Sequence, residues 1–185
     1  MADKLPVILS CGRSGSPEQL QMETLLARYL TVLPGVEVTV VPHLYDLAPQ
    51  GQTLTFLRNL PGDFAVLSWL YPRSAFWVLD ANGVRGRLGR MSSLAAEESD
   101  EPLVESHAQE GIPDRTIWCL DLRTHAVPGL YLGEIAHILN LPSIVVPDAP
   151  PQADGNGASH AIDETTRDRW YPVVDLSRCN GCLEC

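Results

Sequence analysis

Cys179, Cys182 and Cys185 stand at strict three-residue spacing, C-x2-C-x2-C, with Gly181 inside the run. Soft thiolates separated by two-residue gaps in a tightly turning loop can converge on one small inorganic core, which is what an iron–sulfur cubane requires. Gly181 eases the turning because it tolerates positive φ. Zinc sites more often use two separated C-x2-C pairs, since two knuckles complete a tetrahedron. Three cysteines in one run therefore favour iron–sulfur, with a zinc knuckle or a chance cluster as the alternatives. The chain has five cysteines, an odd number, and these three lie too close together to pair with one another comfortably. A disulfide framework is not expected, and the thiols point to a reducing, cytoplasmic setting.

The residues leading into the run extend the pattern. "YPVVDLSRCNGCLEC", residues 171–185, resembles the opening of a bacterial-type [4Fe-4S] ferredoxin domain, whose motif is C-x2-C-x2-C-x3-C-P after a short strand and an Asp-x-x-Arg/Lys-Cys approach. Asp175, Arg178, Cys179, Cys182 and Cys185 match it. The resemblance implies a 4Fe-4S cluster, electron transfer and a redox partner protein. The family's fourth cysteine would fall beyond Cys185, so the expectation is a fragment of a longer protein. Three thiolates alone would leave no cluster, a three-iron species, or one completed by an exogenous ligand.

Elsewhere the chemistry-bearing residues are sparser. "SCGRSGS" (10–16) is a Gly/Ser loop before a helix start, where Arg13, Ser14, Gly15 and Ser16 could cradle a phosphate, possible for FMN, or simply form a strand-to-helix turn. It faintly resembles the flavodoxin phosphate loop but lacks its threonines and is not G-x-G-x-x-G. In "SWLYPRS" (68–74), Trp69 and Tyr71 could flank a planar ring and Arg73 could bind an anion; the aromatics could equally pack against a neighbouring domain. His125 in "DLRTH" is a candidate acid or base, or a solvated loop histidine. Cys11 lies near a helix start and Arg13, which would favour a thiolate, yet no partner base is identifiable and a structural role is the expectation; Cys119 reads as core.

These loops need a scaffold, and the sequence outlines one. Leu5–Leu9, Val36–Val41, Asp63–Ser68, Thr116–Leu122 and Ser143–Val146 read as strands. A helix begins with Ser16 as N-cap, Pro17 at the first helical position and Glu18 in the acid-favouring first turn. Met22, Leu25, Leu26, Tyr29 and Leu33 give it one buried face, and Pro34-Gly35 stops it. Thr53–Leu60, Arg73–Asp80 and Gly129–Leu139 are further helices. Alternating strands and helices predict an α/β fold, a three-layer parallel sheet with helices on both faces, flavodoxin-like or Rossmann-like. Residues 84–113 read as a long irregular excursion. Pro, Gly, Ala and Asp dominate 147–168, which divides the chain into an α/β domain (1–147), a linker (148–169) and the start of a ferredoxin-like domain (170–185).

Composition narrows the function classes. A formal charge of −10 and the lack of a basic stripe beyond Arg85, Arg87 and Arg90 argue against a nucleic-acid surface. Much of the acidity is local, in Glu97, Glu98, Asp100, Glu101 and Glu105. The most apolar stretch, Phe64 to Leu79, is broken by Pro72-Arg73 and falls short of the roughly 20 residues that span a bilayer, so no membrane insertion is expected. The leading expectation is an iron–sulfur electron-transfer protein. The alternatives are a flavin- or nicotinamide-dependent oxidoreductase fed by the cluster, and a non-catalytic subunit of a redox complex docking through "SWLYPRSAFW". Oligomeric state is not legible.

Overall fold

The computed structural model describes residues 4–13, 15–91, 113–141, 160–162 and 164. Six parallel strands form one sheet: β1 (Leu5–Ser10), β2 (Val36–Val41), β3 (Phe64–Ser68), β4 (Arg87–Leu88), β5 (Thr116–Asp121) and β6 (His160–Ala161), in the order β4-β5-β3-β1-β2-β6. Four helices connect or flank them: α1 (Pro17–Val32), α2 (Gln52–Asn59), α3 (Pro72–Ala81) and α4 (Pro128–Ile138). This is the α/β fold expected, compatible with flavodoxin-like or Rossmann-like architecture. The expected strand at 143–146, the acidic residues 97–105, Ser14 and the cysteine run lie outside the described residues.

Burial explains why the central strands read as continuous apolar runs. In β1, Val7 and Leu9 face α1 and α4, where they meet Met22, Leu26, Leu30, Leu132 and Ile135; Ile8 faces the opposite layer with Leu54, Leu57, Phe76 and Leu79 of α2 and α3. A parallel strand covered on both sides has no polar face to alternate with. The pairings β1 to β2 (Val7 with Val38) and β1 to β3 (Val7 with Ala65) put β1 at the centre. The chain leaves β1 toward β2 on one side and returns to β3 on the other. Loops after β1 and β3 therefore part at a crevice on the sheet's carboxyl edge, where open α/β sheets bind ligands.

Caps set the helix boundaries. Ser16 Oγ accepts from Gln19 N at 3.3 Å, and Pro17 occupies the first turn of α1, as its sequence suggests. After α1, Gly35 takes φ 79°, a left-handed turn, and its carbonyl accepts from Leu5 N at 2.8 Å.

Two short strands depart from the sequence reading. β4 lies within the segment read as irregular: Gly89 N donates to Ile117 O at 2.9 Å, and Val84 and Met91 are buried. The close approach to β5 needs glycine on both sides. A Cβ on Gly86 would stand 2.9 Å from Arg115 O, and one on Gly89 would overlap the Trp118 indole. β6 lies within the segment read as linker. It pairs His160 with Thr39 and Ala161 with Val40, Ile162 N donates to Val40 O at 3.0 Å, and Ile162 packs against the α2/α3 layer.

Glu164 completes this docking. Helix α2 starts from Gly51, which offers no side-chain cap, and Glu164 Oε2 accepts from Thr53 N at 2.7 Å. A Cβ on Gly51 would lie 2.7 Å from Glu164 Oε1, so the glycine makes room for a cap supplied from far along the chain. Glu164→Ala is expected to lower stability by about 1 kcal/mol, the usual size of a lost helix cap, measured by urea unfolding with Glu164→Gln as a milder comparison.

Candidate functional site

Four loops meet at the carboxyl edge of the sheet. Cys11–Arg13 follow β1, His43–Asp46 follow β2, Trp69–Tyr71 follow β3 and Leu122–His125 follow β5. A buried carboxylate, Glu23 of α1, ties two of them together. Its Oε1 accepts from Gly12 N at 2.6 Å and from Trp69 Nε1 at 2.8 Å. Glu23 is only 8% exposed, and two N–H donors compensate its removal from water.

Two arginines are held in similar ways on either side. Arg13 grips Asp46 through Nε (3.0 Å) and Nη2, with its guanidinium 5.5 Å from the Tyr45 ring centre. Arg123 grips Asp121 through Nε (2.8 Å) and Nη2 (2.7 Å), and its guanidinium lies 3.8 Å from the Tyr71 ring centre. Asp121 is 2% exposed, and the two N–H donors of the arginine compensate its removal from water. The hydrogen bonds that Arg123 donates to Asp121 raise the arginine's pKa. Tyr71 itself is 66% exposed. His43 is driven toward its neutral form, chiefly by burial and then by the Arg13 charge, which suits Nδ1 to accept from Tyr45 N at 3.3 Å.

The loop after β5 is braced from beneath. Tyr131 Oη, buried under it, accepts from His125 N at 3.0 Å and turns its proton toward the carbonyls of Asp121 (3.1 Å) and His125 (3.0 Å). Between this loop and α1 opens a cleft of about 560 Å³, bordered by Glu18, Gln19, Met22, Leu25, Trp69, Leu122, Arg123 and His125.

The candidate residues read from sequence are only partly brought together. Arg13 and Tyr71 reach the carboxyl edge but belong to the two different arginine groups. Gly15 adopts φ 58° in an exposed turn, and Ser16 serves as the α1 cap. Arg73 is exposed in the first turn of α3, a helix of the opposite layer, and does not border the cleft. Among the described residues the loop after β1 does not fit a phosphate such as that of FMN. Gly12 N–H is occupied by the Glu23 carboxylate, whose charge would repel a phosphate placed there. His125 does border the cleft. Glu23, Asp46 and Asp121 were not singled out in the sequence reading. Glu23 carried a signal, because it stands three and seven residues before Leu26 and Leu30 on the buried face of α1.

Cys11 is no activated nucleophile. Burial, followed by the charge and hydrogen bond of Glu23, pushes its thiol up to about 11. At pH 8 its thiolate fraction should be about a hundredfold below that of an ordinary cysteine, a tenfold loss for each unit of pKa. Site-resolved mass spectrometry after iodoacetamide treatment should therefore find Cys11 alkylated slowly, and faster in Glu23→Gln. Cys119 is buried and its thiol is pushed up to about 12 by desolvation, as befits a core residue.

No family model matches the chain, and no curated protein or solved structure matches it significantly. Among the described residues no group of three or more His, Cys, Asp or Glu side chains could hold a metal ion, and no helix is long and apolar enough to cross a membrane.

Proposed function

We propose that this is an iron–sulfur electron-transfer protein of the reducing cytoplasm, in which Cys179, Cys182 and Cys185 ligate a 4Fe-4S cluster and the α/β domain carries and docks it. The carrying observation is the C-x2-C-x2-C spacing preceded by Asp175 and Arg178. The donor set fits the group: three soft thiolates in one run match sulfide-bridged iron better than a tetrahedral zinc ion, with the remaining iron needing a further ligand. When bound, such a cluster accepts and releases single electrons.

The α/β domain supports this reading in two ways. Residues 160–162 are fastened to the β2 edge through β6, and Glu164 to the start of α2 through its cap. Cys179 follows fifteen residues after Glu164. An extended chain spans at most about 3.5 Å per residue, which holds Cys179 within about 50 Å of the α2 start and Cys185 within about 75 Å. At the carboxyl edge Tyr71, Val127 and Leu130 are exposed, a surface suited to a redox partner protein. The flavin- or nicotinamide-fed alternative draws less support, because the Gly12 N–H after β1 is turned inward to the Glu23 carboxylate.

Metal and sulfide analysis of the full chain purified without oxygen tests the proposal. Iron and acid-labile sulfide in comparable amounts, with reversible one-electron titration, are expected. Stoichiometric zinc without sulfide would contradict it.

A further inference from the structure

The geometry points to a second, independent site: we infer that the cleft between α1 and the loop after β5 binds a small planar aromatic carboxylate, its ring against Trp69 and its anion at Arg123. The site does not depend on the cysteine run.

Its size is about 560 Å³, inside the range of roughly 300–1,000 Å³ usual for small-molecule pockets. Its walls are arranged by polarity. Met22, Leu25, Trp69 and Leu122 give an apolar interior, and the Trp69 indole is oriented by its bond to the buried Glu23. A flat ring stacked there gains dispersion contact over a side chain that is already fixed, so little ordering entropy opposes binding.

One rim carries the cation. Arg123 is held by Asp121 through its Nε and Nη2 edge, which leaves the Nη1 edge to meet another acceptor. Stacking on Tyr71 further limits its motion. His125 stands beside it with its backbone fastened to Tyr131. The opposite rim, on α1, carries the exposed Glu18, which suits a hydrogen-bond donor at the far end of the ring. A ligand with a carboxylate at one end and a hydroxyl at the other, such as 4-hydroxybenzoate, matches both rims. A second anionic group at the far end would face Glu18.

The test is titration of the full chain with 4-hydroxybenzoate by calorimetry, against its neutral isostere 4-hydroxybenzamide. Expected are saturable binding of the acid and affinity for the amide at least about tenfold lower, because the charge-assisted hydrogen bonds to the guanidinium are lost. Arg123→Met should weaken acid binding by a similar factor. That variant unpairs Asp121 and can unfold, so the wild type supplies a second readout: 15N-edited NMR should show the Trp69 indole and His125 amide signals shifting with the acid. Absence of binding at millimolar acid, equal affinity for the amide, undiminished binding in a folded Arg123→Met, or shifts confined elsewhere would each overturn the inference. Because none of these readouts uses the cluster, failure here leaves the electron-transfer reading standing, and the reverse also holds.

Discussion

Glu23→Ala is expected to destabilise the α/β domain by about 2–4 kcal/mol. The side chain is buried, and its Oε1 alone satisfies Gly12 N and Trp69 Nε1. Removing it leaves two donors in a region of low water access, each costing roughly 1–3 kcal/mol when unpaired. The better helix propensity of alanine returns only a few tenths of a kcal/mol. Glu23→Gln keeps one acceptor oxygen and should lose about half as much. Urea unfolding followed by circular dichroism measures both. A loss below about 1 kcal/mol for alanine would mean that water replaces the carboxylate and that the network does not hold the β1 and β3 loops together.

The second large effect concerns the cysteines. Replacing Cys179, Cys182 or Cys185 singly with serine is expected to remove most bound iron and the broad visible absorbance of the protein, since hard hydroxyls replace soft thiolates poorly. Cys11→Ser and Cys119→Ser should retain iron, because both thiols lie inside the α/β domain with raised pKa values. Iron content per chain after anaerobic reconstitution decides between the two groups. Equal loss across all five positions would point to general unfolding, and loss only at Cys11 or Cys119 would place the metal elsewhere.

The fold was legible where one element contained its own instructions. Ser16-Pro17-Glu18 marks the start of α1, Pro34-Gly35 its end, and Asn82-Gly83 the end of α3, where Gly83 adopts φ 80° and Asn82 Nδ2 bonds back to Val78 O at 2.7 Å. The four strands β1, β2, β3 and β5 declare themselves by apolar runs of strand length. What escaped notice depends on a distant partner. β4 has two residues between glycines and exists because β5 passes close by. β6 sits in a Pro/Gly/Asp-rich stretch and is ordered by β2, Ile162 packing and the Glu164 cap.

The same division holds at the carboxyl edge. Arg13, Tyr71, Trp69 and His125 stood out by residue type, but their roles depend on Asp46, Glu23, Asp121 and Tyr131, each contributed by another part of the fold or by a turn whose geometry is not periodic. Arg13 illustrates the consequence. On sequence it is a free cation beside a Gly/Ser loop; in the fold it is half of a bidentate pair, and the loop beside it faces a carboxylate. Arg123 went unremarked, although it borders the cleft.

The central claim, a cluster held by Cys179, Cys182 and Cys185, is tested most directly by X-ray absorption at the iron edge of the full chain kept free of oxygen. The account predicts a first shell of sulfur around each iron and a second shell of iron neighbours at the short separation that bridging sulfide imposes. A first shell of nitrogen and oxygen, or sulfur ligation without iron neighbours, would contradict it.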